Sequence, residues 1–275
     1  MQNHRVGIYV DYQNIVRNGG FGIRLDVLRE FVCGDDALAV RLNIYAANDT
    51  KRAETDPVYR DKMNDIFAQM RSIGYKVNQK KVMRYWSEDE NREVIKANAD
   101  MDMAVDVILQ SEQLDRVVVL LTGDGDFVQV VKALQNRGLR VEVIAFKNVS
   151  RDLRNEADSY LSGYLIPDLL PIRQSVKWGE IGSRVRGFCT QFNSEKGFGF
   201  FRYIDDPHGK LWISDTRNED SAFKGAFFHV TGSSFLDKVS ADELLNRENV
   251  FEFTLTPNSR EEKGGPMANE IQKVI

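Results

Sequence analysis

Aspartates that could share one site fall in three short segments of the sequence. Asp11 directly follows the apolar run 5–10, and Asp124 and Asp126 directly follow the apolar run 116–121. The third group lies in a segment with helical spacing and consists of Asp100, Asp102 and Asp106. Neighbouring carboxylates repel each other unless a cation lies between them. Oxygen ligands suit Mg²⁺ or Mn²⁺, and such an ion can activate water to attack a phosphodiester. The pattern predicts a hydrolytic metal centre.

Alternating strands and helices must position these aspartates. Apolar runs and period-2 patterns predict strands over 5–10, 40–46, 116–121 and 140–146. Helical spacing predicts helices over 24–32, 57–73, 99–110 and 126–137. This order predicts an α/β domain with a mainly parallel sheet flanked by helices. Ligands bind at the carboxyl ends of the strands in such a sheet, so we expect Asp11 and Asp124 to share that edge.

Each aspartate also has a structural interpretation. An aspartate after a strand is often a helix N-cap, and Asp126 can serve the next helix in this way. Asp102 and Asp106 share one face of their helix, whereas Asp100 lies near its start. Asp102 also fits an ordinary solvated position. The pattern leaves open whether Asp100 or Asp102 completes the site.

A basic strip lies between the second predicted helix and the acidic helix. It contains no acid between Arg71 and Arg84, and Tyr75 and Trp86 lie in or beside it. Its candidate nucleic-acid contacts are Lys80, Lys81 and Arg84. Basic groups neutralise phosphates and aromatic rings stack on bases, although a solvated surface would have the same composition.

The pattern changes after residue 165. Pro167 and Pro171 interrupt it, and from Arg184 onward short aromatic-rich segments and polar turns predict an all-β module, with a helix signal only near 241–246. We therefore divide the chain into an α/β domain at 1–165, a linker at 166–182 and a β domain at 183–275.

The first domain resembles a known nuclease-like family. The segments Val6-Gly-Ile-Tyr-Val-Asp-Tyr-Gln-Asn14, 96–106 and 121–127 are similar to the NYN domain of the PIN-like nuclease superfamily, in its LabA-like branch. The resemblance implies a metal-dependent ribonuclease with a metal-binding core of Asp11, Asp100, Asp124 and Asp126. It also implies supporting roles for Asn14 and Asp106. The chain departs from the family pattern at Asp102, where the family usually has a single acid.

The second domain resembles the cold-shock domain, a five-stranded OB-fold barrel. Lys196-Gly-Phe-Gly-Phe200 is similar to its first ribonucleoprotein motif and Phe227-Phe-His229 to its second. The resemblance implies that single-stranded RNA binds at Lys196, Phe198, Phe200, Phe228 and His229. Phe198, Phe228 and His229 are the residues we expect to face outward.

Two departures affect this expectation. Gln191 replaces the tryptophan of the family's Trp-Phe-Asn triplet, and an acidic insertion occupies 202–224. Acidic residues outnumber basic ones over 183–275. A barrel used for protein contact is the alternative.

The whole-chain composition excludes several classes of protein. A net charge of −4 gives no general attraction to nucleic acid, and the two cysteines, Cys33 and Cys189, have no metal-ligand or disulfide pattern. The sequence has no signal peptide and no apolar run of membrane-spanning length, so we expect a cytoplasmic protein without a membrane partner.

The sequence as a whole favours a Mg²⁺- or Mn²⁺-dependent ribonuclease that acts on RNA, preferably single-stranded. The alternative is a non-catalytic RNA-binding regulator that retains the fold. The oligomeric state stays open, with a homodimer as one option.

Overall fold

The computed structural model describes residues 4–34, 36–87, 92–230, 239–258 and 265–275. The chain divides into two compact units, Met1–Ser162 and Gly163–Ile275. The first unit is an α/β structure and the second contains a β-barrel.

The described strands of the first unit form a six-stranded parallel sheet in the order β3-β2-β1-β6-β7-β8. These strands are β1 (His4–Asp11), β2 (Ala37–Asn48), β3 (Lys76–Lys81), β6 (Arg116–Leu121), β7 (Val141–Ala145) and β8 (Ser159–Ser162). A separate antiparallel hairpin consists of β4 (Met83–Ser87) and β5 (Arg92–Lys96). The expected parallel sheet is confirmed.

Helices connect the strands of this sheet. Their bounds are α1 (Tyr12–Arg17), α2 (Leu25–Cys33), α3 (Thr50–Thr55), α4 (Pro57–Ser72), α5 (Ala99–Gln110), α6 (Val128–Gln135) and α7 (Arg151–Glu156). Helix α5 packs on β1 and β2. Its apolar side chains Met103 and Val107 are fully buried in the core, which leaves its acidic positions toward the rim.

Strand β1 lies inside the sheet and is buried along most of its length. Val6, Ile8 and Val10 have no exposed surface, and neither does Tyr9 on the opposite face of the strand. A strand covered on both faces must be almost continuously apolar, as this one is. Its carboxyl end therefore brings Asp11 to the edge of the sheet from a rigid base.

The second unit contains a closed five-stranded barrel in the order β10-β11-β13-β12-β9. Its elements are β9 (Arg184–Asn193), β10 (Phe198–Ile204), β11 (Phe223–His229), α8 (Ala241–Leu245), β12 (Phe251–Thr256) and β13 (Met267–Lys273). The expected small all-β barrel is confirmed. Its core is aromatic, with Phe201 in ring contact with Phe228, Phe251 and Phe253.

The segment interpreted from the sequence as a linker packs against the barrel over part of its length. Trp178 is buried in the barrel core, and its Nε1 donates a hydrogen bond of 2.8 Å to the carbonyl oxygen of Ile204. Gln174 exchanges two hydrogen bonds with the backbone of Arg184. These contacts make this stretch part of the second unit.

Among the described residues, the structure has no helix that is both long and apolar enough to span a membrane.

Alternation along β10 predicts two different effects of removing a ring. Phe201 is fully buried, whereas Phe200 faces outward with 38% of its surface exposed. Phe201→Ala should lower the free energy of unfolding of the barrel by about 3–5 kcal/mol because it leaves a cavity, and Phe200→Ala should have a much smaller effect. Thermal denaturation of both variants checks this. Equal losses of stability would show that the two faces are wrongly assigned.

Candidate functional site

Asp11 lies where β1 ends and α1 begins. Its side chain is only 8% exposed, and its Oδ1 accepts a hydrogen bond of 3.0 Å from the backbone N–H of Asn14. Asp11 is therefore the N-cap of α1. Capping accounts for one carboxylate oxygen but does not explain why a charged group is buried here.

Burial raises the pKa of Asp11 to about 6, from an ordinary value of 3.8. The hydrogen bond from Asn14 opposes this shift, whereas the negative charges of Asp100 and Asp124 add to it. The three carboxylates therefore lie close enough to interact, although they come from β1, α5 and the loop after β6. Without a cation, this arrangement is costly when all three are ionised.

The loop after β6 holds Asp124 in a fixed turn. Thr122 is fully buried, and its Oγ1 accepts a hydrogen bond of 3.2 Å from the N–H of Asp124. Asp124 Oδ1 accepts one of 3.0 Å from the N–H of Asp126, so Asp124 caps the short 3-10 helix Gly125–Phe127. The N-cap in this loop is Asp124, not Asp126 as the sequence suggested.

Gly125 leaves room for the chain after β7, which approaches closely. A Cβ at this position would lie 2.9 Å from the Oγ of Ser150. Ser150 in turn donates its N–H to the carbonyl oxygen of Gly123 at 2.8 Å. The residues at the start of α7 thus brace the loop that carries Asp124.

Asn14 links the two strand-end loops. Its Oδ1 accepts a hydrogen bond of 3.0 Å from the N–H of Gly123 and one of 3.3 Å from Nδ2 of Asn18. Asn14 also donates its N–H to Asp11. One side chain therefore fixes the end of β1 relative to the end of β6, which is a positioning role.

The acidic residues of α5 occupy different environments. Asp102 forms an ion pair with Lys80, with the lysine Nζ 2.8 Å from Oδ2. Asp106 accepts a hydrogen bond of 2.7 Å from the hydroxyl of Tyr45. Tyr45 lies on β2 and pairs in register with Asp11 on β1. Asp100 is the member of this helix whose charge raises the pKa of Asp11.

The structure thus brings Asp11, Asp100 and Asp124 together and places the other candidates around them. Asp126 is exposed and is not among the charges that shift the pKa of Asp11. Asp106 is hydrogen-bonded to Tyr45, the partner of Asp11 across the sheet. Asn14 is hydrogen-bonded to Gly123, next to Asp124.

A polar network under α5 was not anticipated from the sequence. The Oε1 of Gln110 accepts hydrogen bonds from the hydroxyl of Tyr9 at 3.2 Å and from the Nδ2 of Asn43 at 3.0 Å. Gln110 follows Asp106 by four residues, so both project from one face of α5. The sequence signals that could have predicted this network are the four-residue spacing on α5 and the polar side chains within apolar strands.

The donor set fits a hard divalent cation. The charges of Asp100 and Asp124 act on Asp11 at one edge of the sheet, and Mg²⁺ commonly binds through one or two carboxylates while it keeps several water ligands. Across the described residues, no three His, Cys, Asp or Glu side chains already converge closely enough to hold an ion directly.

Two of the three candidates in the basic strip are engaged in ion pairs. Lys80 binds Asp102, and Arg84 contacts Asp49. Lys81 is exposed. Tyr75 belongs to the core with 2% exposure, so it cannot stack on a base, whereas Trp86 is 63% exposed.

The barrel carries an outward aromatic surface, which we call the phenylalanine platform: Phe198, Phe200 and Phe227. The centroid of the Phe227 ring lies 5.9 Å from that of Phe198 and 5.6 Å from that of Phe200. His229 pairs with Phe198 across the strands, at one end of the platform. Lys196 is exposed in the preceding turn.

The expectation that Phe228 faces outward is wrong. Phe228 is fully buried and its ring stacks on Phe201 at 4.4 Å. Alternation along β11 puts Phe228 on the inner face with Ala226 and puts Phe227 outside. Gly199 makes room for this ring, since a Cβ there would lie 2.5 Å from it.

Three of the five acids in the insertion form ion pairs with cations of the same segment. Lys224 binds Asp205 at 2.5 Å, Lys210 binds Asp220 at 2.6 Å, and Arg217 binds Asp215 at 2.8 Å. Asp205, Asp215 and Asp220 are therefore each compensated by a neighbouring cation.

Comparison with known proteins identifies the first unit. The model of the family described as "NYN domain" matches residues 5–169. The low amplitude and bright protein LabA of Synechococcus elongatus is 28% identical over 163 residues, which cover 57% of this chain and 82% of that protein.

A solved structure of a Vibrio parahaemolyticus protein of unknown function is also similar. It is 23% identical with a TM-score of 0.48, and the match covers 58% of this chain and 93% of the other. The family match spans more than half of the chain, including the strand ends that carry Asp11 and Asp124. The chain belongs to the NYN domain family.

Proposed function

We propose that this protein is a metal-dependent ribonuclease that cleaves phosphodiester bonds in RNA, and that its barrel binds single-stranded RNA. The observation that carries the proposal is the burial of Asp11 beside Asp100 and Asp124, which raises its pKa. A buried cluster of like charges is expensive and is typical of sites that bind a cation. Membership of the NYN domain family, which is PIN-like, supports the same proposal.

In this proposal, Asp11, Asp100 and Asp124 hold Mg²⁺ or Mn²⁺. The bound ion would supply Lewis-acid polarisation of the phosphate and a water of lowered pKa. Asn14 keeps the loops of Asp11 and Asp124 at a fixed separation through its bond to Gly123. This preorganisation limits the reorganisation that the site needs when the substrate binds.

The remaining acids act at the edge of the site. Asp106 is held by Tyr45 and contributes negative charge behind the cluster. Asp126 is exposed and can bind the ion through water. Asp102 is compensated by Lys80 and belongs to the RNA-facing rim instead of the metal core.

The barrel contributes affinity in this proposal. Its platform of Phe198, Phe200 and Phe227 offers flat apolar surface for unpaired bases, which suits an OB-fold of the cold-shock type. Tethering a binding module to a catalytic one raises the local concentration of the substrate.

A non-catalytic RNA-binding regulator is the second candidate. The observation in its favour is that, in the described part of the chain, the carboxylates do not converge as far as a direct three-ligand site requires. Cleavage assays with and without metal separate the two candidates.

Replacing Asp11 should stabilise the metal-free protein. In Asp11→Asn an oxygen still accepts the Asn14 N–H, but the buried charge is gone. Because the folded pKa of about 6 exceeds the ordinary 3.8, wild-type stability falls as pH rises through this interval. A pKa difference of about 2 corresponds to about 3 kcal/mol in the free energy of unfolding at neutral pH.

Melting curves in EDTA at pH 7.5 and pH 4 check this expectation. The variant should melt higher at pH 7.5, and the difference should shrink toward pH 4. Adding Mn²⁺ should raise the melting temperature of the wild type more than that of the variant. A variant that melts lower than wild type at neutral pH would show that the buried carboxylate is not a source of instability.

Cleavage should depend on Asp124 but much less on Asp102. Asp124→Asn keeps the capping oxygen and removes a metal ligand, so we expect the rate on end-labelled single-stranded RNA with Mn²⁺ to fall by roughly 100-fold or more. Asp102→Asn is the matched control and should keep activity within about 10-fold. EDTA should abolish cleavage. Failure of the wild type to cut any RNA with Mg²⁺ or Mn²⁺ would leave the regulator as the better account.

Removal of platform rings should weaken RNA binding without unfolding the barrel. Phe198→Ala and Phe227→Ala should each cost roughly 1–3 kcal/mol in binding of a single-stranded oligonucleotide. Phe228→Ala should instead lower the melting temperature, because this ring is in the core. Fluorescence anisotropy in EDTA measures the affinities. Unchanged affinity in both platform variants would favour a barrel used for protein contact.

A further inference from the structure

The outward face of the barrel extends past the phenylalanine platform to an arginine. Arg202 follows Phe200 by two residues on β10, so both project from the same face. At about 3.3 Å of rise per residue, the two positions are about 7 Å apart along the strand. One bound strand can therefore reach both.

Two rings flank the guanidinium of Arg202. Its Cζ lies 6.0 Å from the ring centroid of Phe188 and 5.7 Å from that of Phe223. The two rings meet edge to face, with centroids 6.3 Å apart. This packing holds the arginine stem and head in place, and it leaves the planar guanidinium as a preorganised donor.

The positive charge of Arg202 is not matched by a carboxylate. In the part of the chain that the structure describes, no acid forms an ion pair with it, and its Nε is buried without a hydrogen-bond partner. Asp215 is the acid whose charge acts on it, but Arg217 binds that carboxylate through both its backbone N–H and its guanidinium. The insertion therefore does not supply the missing anion.

A second cation adds to this local excess of positive charge. Burial lowers the pKa of Arg202, and the charge of Arg247 lowers it further. Two arginines that repel each other beside an aromatic surface are stabilised when an anion binds. A phosphate matches the fork of a guanidinium, which can donate two parallel hydrogen bonds to it.

We propose that Arg202, held between Phe188 and Phe223, binds a backbone phosphate of the single strand whose bases stack on the phenylalanine platform. The inference rests on the proposed RNA binding by the barrel and specifies one contact within it. The site fixes where the strand leaves the platform, so it sets the register of the bound nucleotides. The platform supplies stacking, and Arg202 supplies one salt-dependent contact.

A series of singly modified oligonucleotides tests this contact. Each carries one neutral methylphosphonate linkage at a different position in a single-stranded oligouridine, and binding to the full chain is measured by anisotropy in EDTA. With the wild type, one linkage should be sensitive and should weaken binding about 10-fold when it is neutral. Arg202→Gln should weaken binding of the unmodified strand by a similar factor and should be insensitive to that linkage.

Two further variants act as controls. Arg173→Gln removes the same charge from an exposed position of the same unit and should bind like the wild type. Arg202→Lys keeps the charge but loses the fork, so it should show an intermediate loss and keep the sensitive linkage. The slope of log affinity against log salt should fall by about 0.7 in Arg202→Gln, as expected for one lost contact to single-stranded nucleic acid.

The outcomes separate this contact from RNA binding in general. If Phe198→Ala weakens binding while Arg202→Gln does not, the phosphate contact is overturned and the platform stands. A loss in Arg202→Gln that still leaves the same linkage sensitive would also overturn it, because the arginine would then act only through the fold. If the wild type binds no oligonucleotide, the barrel function and this contact both fall. Should Arg202→Gln fail to fold, the linkage profiles of the wild type and Arg202→Lys decide, and a flat wild-type profile would contradict the proposal.

Discussion

An ionised carboxylate loses hydration when it is buried, and Asp11 is buried beside two further carboxylates. Three separate elements carry these charges: β1 carries Asp11, α5 carries Asp100, and the loop after β6 carries Asp124. The hydrogen bond between Asn14 and Gly123 links the end of β1 to the loop after β6. Without a cation this repulsion lowers stability, and in the proposed function a divalent cation would remove it. Folding stability and proposed catalysis thus depend on the same interaction.

Long periodic segments made most of the first unit predictable. The continuously apolar segment 116–121 and the helix 99–110 were placed within their observed bounds because each has one dominant pattern. The short helix α1 and the hairpin of β4 and β5 were not anticipated, since a few residues carry little periodicity. The strand-end position of Asp11 and Asp124 followed from parallel topology.

Positions that depend on long-range pairing could not be predicted. The sequence left Asp100 and Asp102 as alternatives because both lie in the first turn of α5. Their different surroundings depend on other elements: Asp102 pairs with Lys80 of β3, whereas Asp100 acts on Asp11. In the barrel, the family resemblance suggested that Phe228 is outside, whereas the alternation along β11 places it inside. Three of the five acids of the insertion, Asp205, Asp215 and Asp220, are likewise paired with neighbouring cations, which the sequence did not show.

The most direct measurement of the central claim is the anomalous scattering of Mn²⁺ in a crystal of the full chain. We expect one peak at the edge of the sheet, bounded by Asp11, Asp100 and Asp124, with water completing the coordination. A protein that binds Mn²⁺ only elsewhere, or whose carboxylates remain without an ion at millimolar Mn²⁺, would contradict the assignment of this cluster as a metal centre.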